Sequence, residues 1–251
     1  MSIKIAIAGK GGTGKTTISS LIIRNLIAKK NGSVLALDAD PNSNLNELLG
    51  IEITSTVGQM VESFKKDGAK LSSGLYKDQM VEMNIHKSVI EGNGFDLLVM
   101  GRGEGPGCYC AANNLFKKYI DMLQESYKYI VMDNEAGMEH LSRKTTNDVD
   151  YLLIVSDPSP RGILTASRLR DLAKELSIRA KQAYLVLNRV DGPIDERLLE
   201  IIKKYDLEMI ASINSDFDLT ETELAGRNIF DLNPKSSALL QVNSLIEKLN
   251  L

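Results

Sequence analysis

Short apolar runs alternate along this chain with longer stretches in which apolar residues recur at helical spacing. The apolar runs with the length and composition of strands are Ile3–Ala8, Val34–Leu37, Phe95–Met100, Tyr129–Met132, Tyr151–Val155, Ala183–Leu187 and Glu208–Ser212. Helical patterns lie between them at residues 16–30, 113–126, 163–176 and 194–205. Continuous apolar strands separated by helices are typical of a covered parallel sheet. The pattern therefore predicts an α/β fold, with a mostly parallel central sheet and helices on both faces.

The length of the chain and the continuity of this pattern predict its domain organisation. A chain of 251 residues with 43% hydrophobic content can bury a substantial core, and no internal repeat or linker divides the sequence. We therefore predict a single domain over residues 1–251. Polarity rises between Thr54 and Asn93, a region that we predict to be an excursion from the sheet.

The charge distribution argues against nucleic-acid and membrane partners. The net charge is −3, and basic residues are interspersed with acidic ones, so no global field attracts nucleic acid or anionic lipid. The amino-terminal apolar run leads directly into glycines and is too short for a signal peptide. No run approaches the roughly 20 apolar residues of a membrane span. We expect a cytoplasmic protein.

A phosphate-binding loop (P-loop) follows the first predicted strand. The sequence GKGGTGKTT, residues 9–17, fits the pattern G-x-x-x-x-G-K-[ST] and is followed by a helical stretch, as that motif requires. Glycines allow backbone N–H groups to close around phosphate oxygens, and the helix N-terminus adds its dipole. Lys15 can reach the β- and γ-phosphates, and the Thr16 hydroxyl suits Mg²⁺. The predicted nucleotide-binding residues are Gly11, Gly12, Thr13, Gly14, Lys15, Thr16 and Thr17.

A second lysine, Lys10, directly follows the first glycine of the loop. With this lysine the loop resembles that of the deviant P-loop ATPases, a family that includes the nitrogenase iron protein, MinD, ParA and nickel-inserting ATPases. The resemblance extends over nearly the whole chain. It implies that the chain binds ATP and Mg²⁺, and that ATP closes a homodimer. It also implies that Lys10 acts together with Lys15 in catalysis, by contacting the nucleotide of the other subunit.

Three carboxylates occur in the order that this resemblance predicts. The sequence LALDADPNSNL contains Asp38 and Asp40, and YIVMDNEAG contains Asp133 after an apolar strand. In the family, the residue at the position of Asp40 lies near the attacking water and the one at Asp38 supports the metal region. Both are therefore implied to be catalytic. Asp133 fits the Walker B pattern, in which a carboxylate bonds a water molecule on Mg²⁺.

The resemblance predicts only part of the base-binding pocket. The sequence LVLNRV places Asn188 just past a strand, where the family uses an asparagine to bind adenine through the paired donor and acceptor of its amide. Many relatives carry an Ile-Pro pair after the last strand, whereas this chain has Asn214 at the position of the proline. The resemblance therefore does not predict which residue forms the second wall of the adenine pocket.

The stretch GEGPGCYC contains both cysteines of the chain, Cys108 and Cys110. A structural disulfide is disfavoured in a cytoplasmic protein, whereas two thiolates suit zinc, copper(I), an iron–sulfur cluster or nickel. Two sulfurs do not complete a four-coordinate site, and His86 and His140 share no ligand spacing with them. If a symmetric dimer brings this loop near its axis, the two copies together supply four sulfurs to one shared metal.

The sequence GPGCYCAANNLFK, which contains both cysteines, resembles the CooC branch of the family. That resemblance implies that Cys108 and Cys110 bind nickel, although four thiolates by themselves favour zinc. It also implies an ATP-driven metallochaperone with a nickel-enzyme client, either carbon monoxide dehydrogenase or acetyl-CoA synthase. Two other functions stay open: an iron–sulfur redox protein, and a MinD- or ParA-like organiser that binds membrane or DNA.

Overall fold

An eight-stranded sheet forms the centre of the computed structural model, which describes residues 2–60, 62, 87–102, 117–136, 148–176 and 179–251. Its strands are β1 (Ile3–Gly9), β2 (Val34–Asp38), β3 (Val89–Glu91), β4 (Asp96–Val99), β5 (Tyr129–Asp133), β6 (Asp148–Ser156), β7 (Arg179–Val190) and β8 (Met209–Asn214). They lie in the order β3-β4-β2-β5-β1-β6-β7-β8. Neighbouring strands are parallel except β3 and β4, so the predicted mostly parallel sheet is confirmed.

Strand β3 corrects the expectation that the region between Thr54 and Asn93 leaves the sheet. Its three residues pair antiparallel with β4, with Ile90 opposite Leu97, and form one outer edge. Mixed sheets of this kind often carry an antiparallel edge strand. This strand has three residues, of which only Ile90 is buried. It therefore gives almost no periodic signal in the sequence.

Helices cover both faces of the sheet, as predicted. They are α1 (Lys15–Ala28), α2 (Leu45–Leu49), α3 (Pro160–Glu175), α4 (Glu196–Lys204), α5 (Phe217–Leu224) and α6 (Ser237–Lys248), with a 3-10 helix at Ile229–Asp231 and further helical residues at 57–60 and 117–123. The alternation of side chains along β1 separates the two layers of core. Ile5 and Ile7 join the apolar cluster of α1 and α6, whereas Ala6 and Ala8 join that of α3 and α4.

The predicted strands and helices are confirmed where the structure describes them, with shifted ends. The largest shift is in β7, which extends beyond the predicted run Ala183–Leu187 at both ends. Helix α5 was not predicted, because it buries only Thr222 and so lacks an apolar stripe. Among the described residues, no helix combines the length and the apolar character that crossing a membrane requires.

The helices differ in how the N–H groups of their first turns are satisfied. At the starts of α3, α4, α5 and α6, a side-chain oxygen of Ser159, Asp195, Asp216 or Ser236 accepts a hydrogen bond from a backbone N–H group. Helix α1 instead begins after Gly14, which has no side chain to cap it, and its first turn carries no acidic residue. The N–H groups and the dipole of α1 are therefore available to an anion.

The strand order brings the predicted site residues to one edge of the sheet. The carboxyl ends of parallel strands share an edge, where ligands bind in open α/β sheets. The P-loop follows β1, Asp38 ends β2, Asp133 ends β5, and Asn188 and Asn214 lie at the ends of β7 and β8. Because β1 is flanked by β5 and β6, the P-loop lies near the middle of this edge.

Replacement of Leu21 by alanine tests the packing of α1 against the sheet. The side chain is 0% exposed in the apolar cluster shared with α6, so we expect the free energy of unfolding to fall by about 2–5 kcal/mol. Leu240→Ala in α6 is the matched control, because this leucine is 54% exposed and its loss should cost less than about 0.5 kcal/mol. Urea titration followed by circular dichroism measures both values, and similar losses would contradict the packing described.

Candidate functional site

Two glycines of the P-loop lie where a side chain would collide with a neighbouring strand. A Cβ atom at Gly9 would lie 2.3 Å from the carbonyl oxygen of Val155, because β1 and β6 pair at this point. Gly14 has a φ of +86°, and a Cβ atom there would lie 2.3 Å from Nδ2 of Asn188. The two fixed glycines of the motif therefore permit close packing and, at Gly14, a left-handed backbone.

The carbonyl oxygen of Lys10 organises the inside of the loop. It accepts hydrogen bonds from Thr13 Oγ1 at 2.9 Å and from Lys15 Nζ at 3.3 Å. The Lys15 side chain is only 9% exposed, and burial lowers its pKa against the opposing effect of nearby carboxylates, chiefly Asp133. The ammonium group is thus held by its own loop. A phosphate would offer it a charged acceptor and a stronger hydrogen bond.

The remaining loop residues lie at the rim and in the first turn of α1. The Lys10 side chain is exposed, and its predicted contact with a second subunit stays a prediction. Gly11 and Gly12 are exposed as well. Thr17 Oγ1 lies 3.4 Å from a carboxylate oxygen of Glu223 and donates a hydrogen bond to it.

Asp38 and Asp133 lie side by side at the ends of two neighbouring strands. They are register partners on β2 and β5, and both are buried. The two carboxylate oxygens of Asp38 accept hydrogen bonds from the backbone N–H groups of Asp40 and Leu45, both at 3.0 Å. Burial, reinforced by the charge of Asp133, raises the pKa of Asp38 to about 7. Burial also raises the pKa of Asp133 to about 6, so negative charge at this point is poorly compensated.

Asp133 connects these carboxylates to helix α1. Its Oδ1 accepts a hydrogen bond from Ser19 Oγ at 3.0 Å, and its side chain is also hydrogen-bonded to Thr16. Sequence reasoning missed Ser19. The available signal was its position one helical turn after Lys15, since residues four apart lie on the same side of a helix.

The side-chain oxygen atoms of Asp133 and Thr16 are of the kind that binds a magnesium ion. Mg²⁺ in nucleotide sites is bound by one or two protein oxygens together with water and phosphate oxygens. Among the described residues, no group of three or more His, Cys, Asp or Glu could hold a metal ion. The pKa values of Asp38 and Asp133 are raised because burial disfavours their negative charge. A divalent cation would balance that charge.

Asp40 lies in the loop that follows β2. Its Oδ1 accepts a hydrogen bond from the backbone N–H group of Asn42 at 2.8 Å, and Arg102 donates a hydrogen bond to the Asn42 side chain. Because Arg102 follows β4, this contact ties the Asp40 loop to the beginning of the segment that contains the cysteines. The residues that lie outside the described part of the chain include Cys108, Cys110, His86 and His140.

A pocket of about 140 Å³ lies beside the P-loop, between the ends of β7 and β8. Its lining residues are Thr17, Asn188, Arg189, Asn214, Ser215, Asp216, Leu219, Thr220 and Glu223. Asn188 is buried and its Nδ2 donates a hydrogen bond to the Thr13 carbonyl oxygen at 2.9 Å, so one end of its amide already holds the P-loop. Asn214 at the end of β8 lines the same pocket, together with residues of α5. The binding of adenine by Asn188 stays a prediction.

Sequence reasoning also missed Arg189. Its Nη1 donates a hydrogen bond to the carbonyl oxygen of Gly12 at 3.0 Å. No signal in the sequence indicated this contact, because adjacent residues of a regular strand point to opposite faces and Asn188 already contacts the loop.

The sheet order, the P-loop and the buried carboxylates define a nucleotide-hydrolysing protein, and comparison with known proteins identifies its family. The model of a family described as an AAA domain matches residues 2–187, and the chain belongs to this family of P-loop ATPases. An uncharacterised ATP-binding protein of Methanocaldococcus jannaschii is 39% identical over 247 residues, which cover 98% of this chain and 97% of that protein.

Two further named proteins are similar to the chain, one in sequence and one in fold. The carbon monoxide dehydrogenase accessory protein CooC of Rhodospirillum rubrum is 31% identical over 247 residues, which cover 92% of this chain and 91% of CooC. The septum site-determining protein MinD of Pyrococcus horikoshii, solved in complex with Mg-ADP, has the same fold. Its TM-score is 0.74 at 19% identity, over 100% of this chain and 96% of MinD. The chain is therefore an ATP-binding protein and an ATPase with a MinD-like fold.

The free energy of unfolding of the nucleotide-free protein should fall as the pH rises from about 4 to about 7. Unfolded aspartate loses its proton near pH 4, whereas folded Asp133 and Asp38 keep theirs up to about pH 6 and about pH 7. In this window the folded state binds more protons, so a rise in pH destabilises it. Asp133→Asn should make the fall shallower, because it removes one of the two buried charges.

Urea unfolding at several pH values measures this dependence. The control is Asp121→Asn, which changes an exposed carboxylate and should leave the slope as it is in the unchanged protein. A slope in Asp133→Asn equal to that of the control would show that Asp133 does not titrate in this window.

Proposed function

We propose that this ATPase is a magnesium-dependent homodimeric metallochaperone that delivers nickel to carbon monoxide dehydrogenase or acetyl-CoA synthase. The observation that carries the proposal is a P-loop whose buried Lys15 interacts with the charge of Asp133, the register partner of Asp38, in a chain that aligns with CooC over 92% of its length. The pair Cys108 and Cys110 supports the metal part of the proposal, because two thiolates on one short segment suit a thiophilic ion.

ATP binds with its triphosphate at the uncapped N-terminus of α1. Lys15 exchanges the Lys10 carbonyl oxygen for the β- and γ-phosphates, and the backbone N–H groups of residues 11–17 surround the phosphate oxygens. The base enters the pocket beside Asn188. The proposal is supported by the position of Lys15 and Asn188 at the same edge of the sheet.

The three carboxylates have different roles at the γ-phosphate. Mg²⁺, when bound, neutralises phosphate charge, and Thr16 together with Asp133 would hold it. Asp40 positions the attacking water. Asp38 orients the Asp40 loop, because its carboxylate accepts hydrogen bonds from the backbone N–H groups of Asp40 and Leu45. Hydrolysis removes the γ-phosphate and with it the contacts that hold this loop.

Dimer closure links the nucleotide to the metal. The exposed Lys10 of each chain contacts the nucleotide of the other chain, and closure brings the two Cys108–Cys110 segments together around one nickel ion. After hydrolysis the dimer loosens and the nickel passes to the client. If ATP changes the affinity for nickel, nickel must change ATP-dependent association by the same factor, because coupling between binding sites is reciprocal.

Alanine substitutions of the two loop lysines separate binding from closure. Lys15→Ala should abolish productive binding of ATP, because the loop loses its charge on the β- and γ-phosphates. Lys10→Ala should leave ATP binding by one subunit largely intact but stop ATP-driven dimerisation and hydrolysis. Calorimetry measures binding, sedimentation measures dimerisation, and phosphate release measures turnover.

The matched control for both variants is Lys203→Ala, which removes an exposed lysine of α4 at a distance from the loop. It should behave as the unchanged protein in all three assays. Normal dimerisation and turnover in Lys10→Ala would refute the proposed contact with the opposite nucleotide.

Replacing both cysteines with serine tests the metal site. Hydroxyl groups coordinate soft metals weakly, so Cys108→Ser with Cys110→Ser should abolish tight nickel binding while ATP binding persists. The unchanged protein should bind one ion per two chains, as four shared sulfurs require. Anaerobic titration with nickel and with zinc, with and without ATP, measures affinity and stoichiometry.

Lys15→Ala is the complementary control, because it keeps both cysteines and lacks only the charge at the phosphates. Unchanged nickel affinity in the double serine variant, or one ion bound by each separate monomer, would contradict a shared thiolate site. A brown anaerobic protein with broad visible absorption would instead favour the iron–sulfur redox function.

A further inference from the structure

Two consecutive residues of β7 hold the P-loop from outside. Asn188 Nδ2 donates a hydrogen bond to the Thr13 carbonyl oxygen at 2.9 Å, and Arg189 Nη1 donates one to the Gly12 carbonyl oxygen at 3.0 Å. Adjacent side chains of a regular strand point to opposite faces of the sheet. A regular β7 would therefore bring only one of the two side chains to the loop.

The end of β7 departs from regular geometry at this position. Arg189 has a φ of +59°, and the pairing of β7 with β8 shifts register between Leu187 and Val190. A left-handed backbone is strained at a residue other than glycine. Irregularities of this kind often re-aim a side chain beside an active site. Here the irregularity turns Arg189 to the same side as Asn188.

The contact with Arg189 matters because packing does not fix the peptide that it holds. Gly12 is exposed and has a φ of +79°, and among the described residues no heavy atom outside its chain neighbours lies within 4 Å of the position where its Cβ would be. Next along the chain, the Thr13 N–H group lies a long 3.4 Å from the Lys10 carbonyl oxygen, so this bond also restrains the peptide weakly. Of the two hydrogen bonds described for this peptide, the one from Arg189 is the shorter.

The direction of a carbonyl group determines the direction of the neighbouring N–H group. A trans peptide is planar, and its C=O and N–H bonds point to opposite sides. With the Gly12 and Thr13 oxygens held by β7, the N–H groups of Thr13 and Gly14 point away from β7. Oriented N–H groups of successive peptides form the kind of concavity that binds phosphate oxygens.

We propose that Arg189 is a positioning residue for ATP hydrolysis, which holds the Gly12 peptide so that the Thr13 N–H group faces the phosphates. The inference rests on the proposed binding of the triphosphate by the P-loop. It does not depend on nickel or on the cysteines. Arg189 acts by orienting this loop peptide. Asn188 fixes the peptide between Thr13 and Gly14 in the same way.

Three substitutions of Arg189 separate the guanidinium group from the backbone strain. Arg189→Gly removes the side chain and relieves the left-handed backbone, whereas Arg189→Ala removes the side chain and keeps the strain. In both variants kcat/KM for ATP should fall about tenfold, with most of the loss in kcat, because a held donor contributes on the order of 1 kcal/mol to phosphate stabilisation. Arg189→Lys keeps one cationic donor and should recover part of the loss.

Stability measurements and two controls complete the test. Asp206→Gly relieves a similar positive φ of +51° away from the loop, and Arg197→Ala removes an exposed arginine that pairs with Asp195. Both controls should keep the kcat/KM of the unchanged protein. The urea midpoint of Arg189→Gly should equal or exceed that of the unchanged protein.

The proposal is overturned if Arg189→Gly keeps normal kcat and kcat/KM, even if Arg189→Ala loses activity, because strain would then be the cause. It is also overturned if activity and urea midpoint fall together in all Arg189 variants, since that result assigns a purely structural role. The nickel function can fail independently, because these assays contain no nickel.

Discussion

The burial of the Lys15 ammonium group near Asp133, which itself lies beside the buried Asp38, is the constraint on which the site depends. Taking an isolated charge out of water costs several kcal/mol, and burial shifts each group here toward its neutral form. The pKa of Lys15 is lowered, while the pKa values of Asp38 and Asp133 are raised. Without a ligand this edge of the sheet therefore holds charges that are only partly balanced. A triphosphate and a divalent cation would supply the missing partners.

The parallel sheet makes this arrangement possible. Because β1 lies between β5 and β6, with β2 beyond β5, the P-loop and both carboxylates extend from adjacent strand ends. The strands are buried in two apolar layers, so these ends have little freedom to move apart. The loops that begin there carry the chemistry, as is usual for sites built on rigid scaffolds.

The Asp40 loop is the described element that is best placed to respond to a nucleotide. The backbone N–H group of Asp40 donates a hydrogen bond to Asp38, and Arg102 donates one to the side chain of Asn42. The Asp38 contact comes from a buried strand end, whereas the contact between Arg102 and Asn42 joins two exposed residues. Arg102 immediately precedes, in the sequence, the segment that contains both cysteines.

Local signals in the sequence determined the α/β class, the principal strands, the P-loop and its family, because each is encoded by a periodicity or by a motif of fixed spacing. Asp38 and Asp133 were also predicted, since each stands at the end of an apolar run. Tertiary structure decided what depends on pairing between distant segments. The short edge strand β3 has one buried residue and no period, and α5 has no apolar stripe. Arg189 contacts the loop from a left-handed backbone position at which β7 shifts its register, and no residue pattern in the sequence predicts either feature.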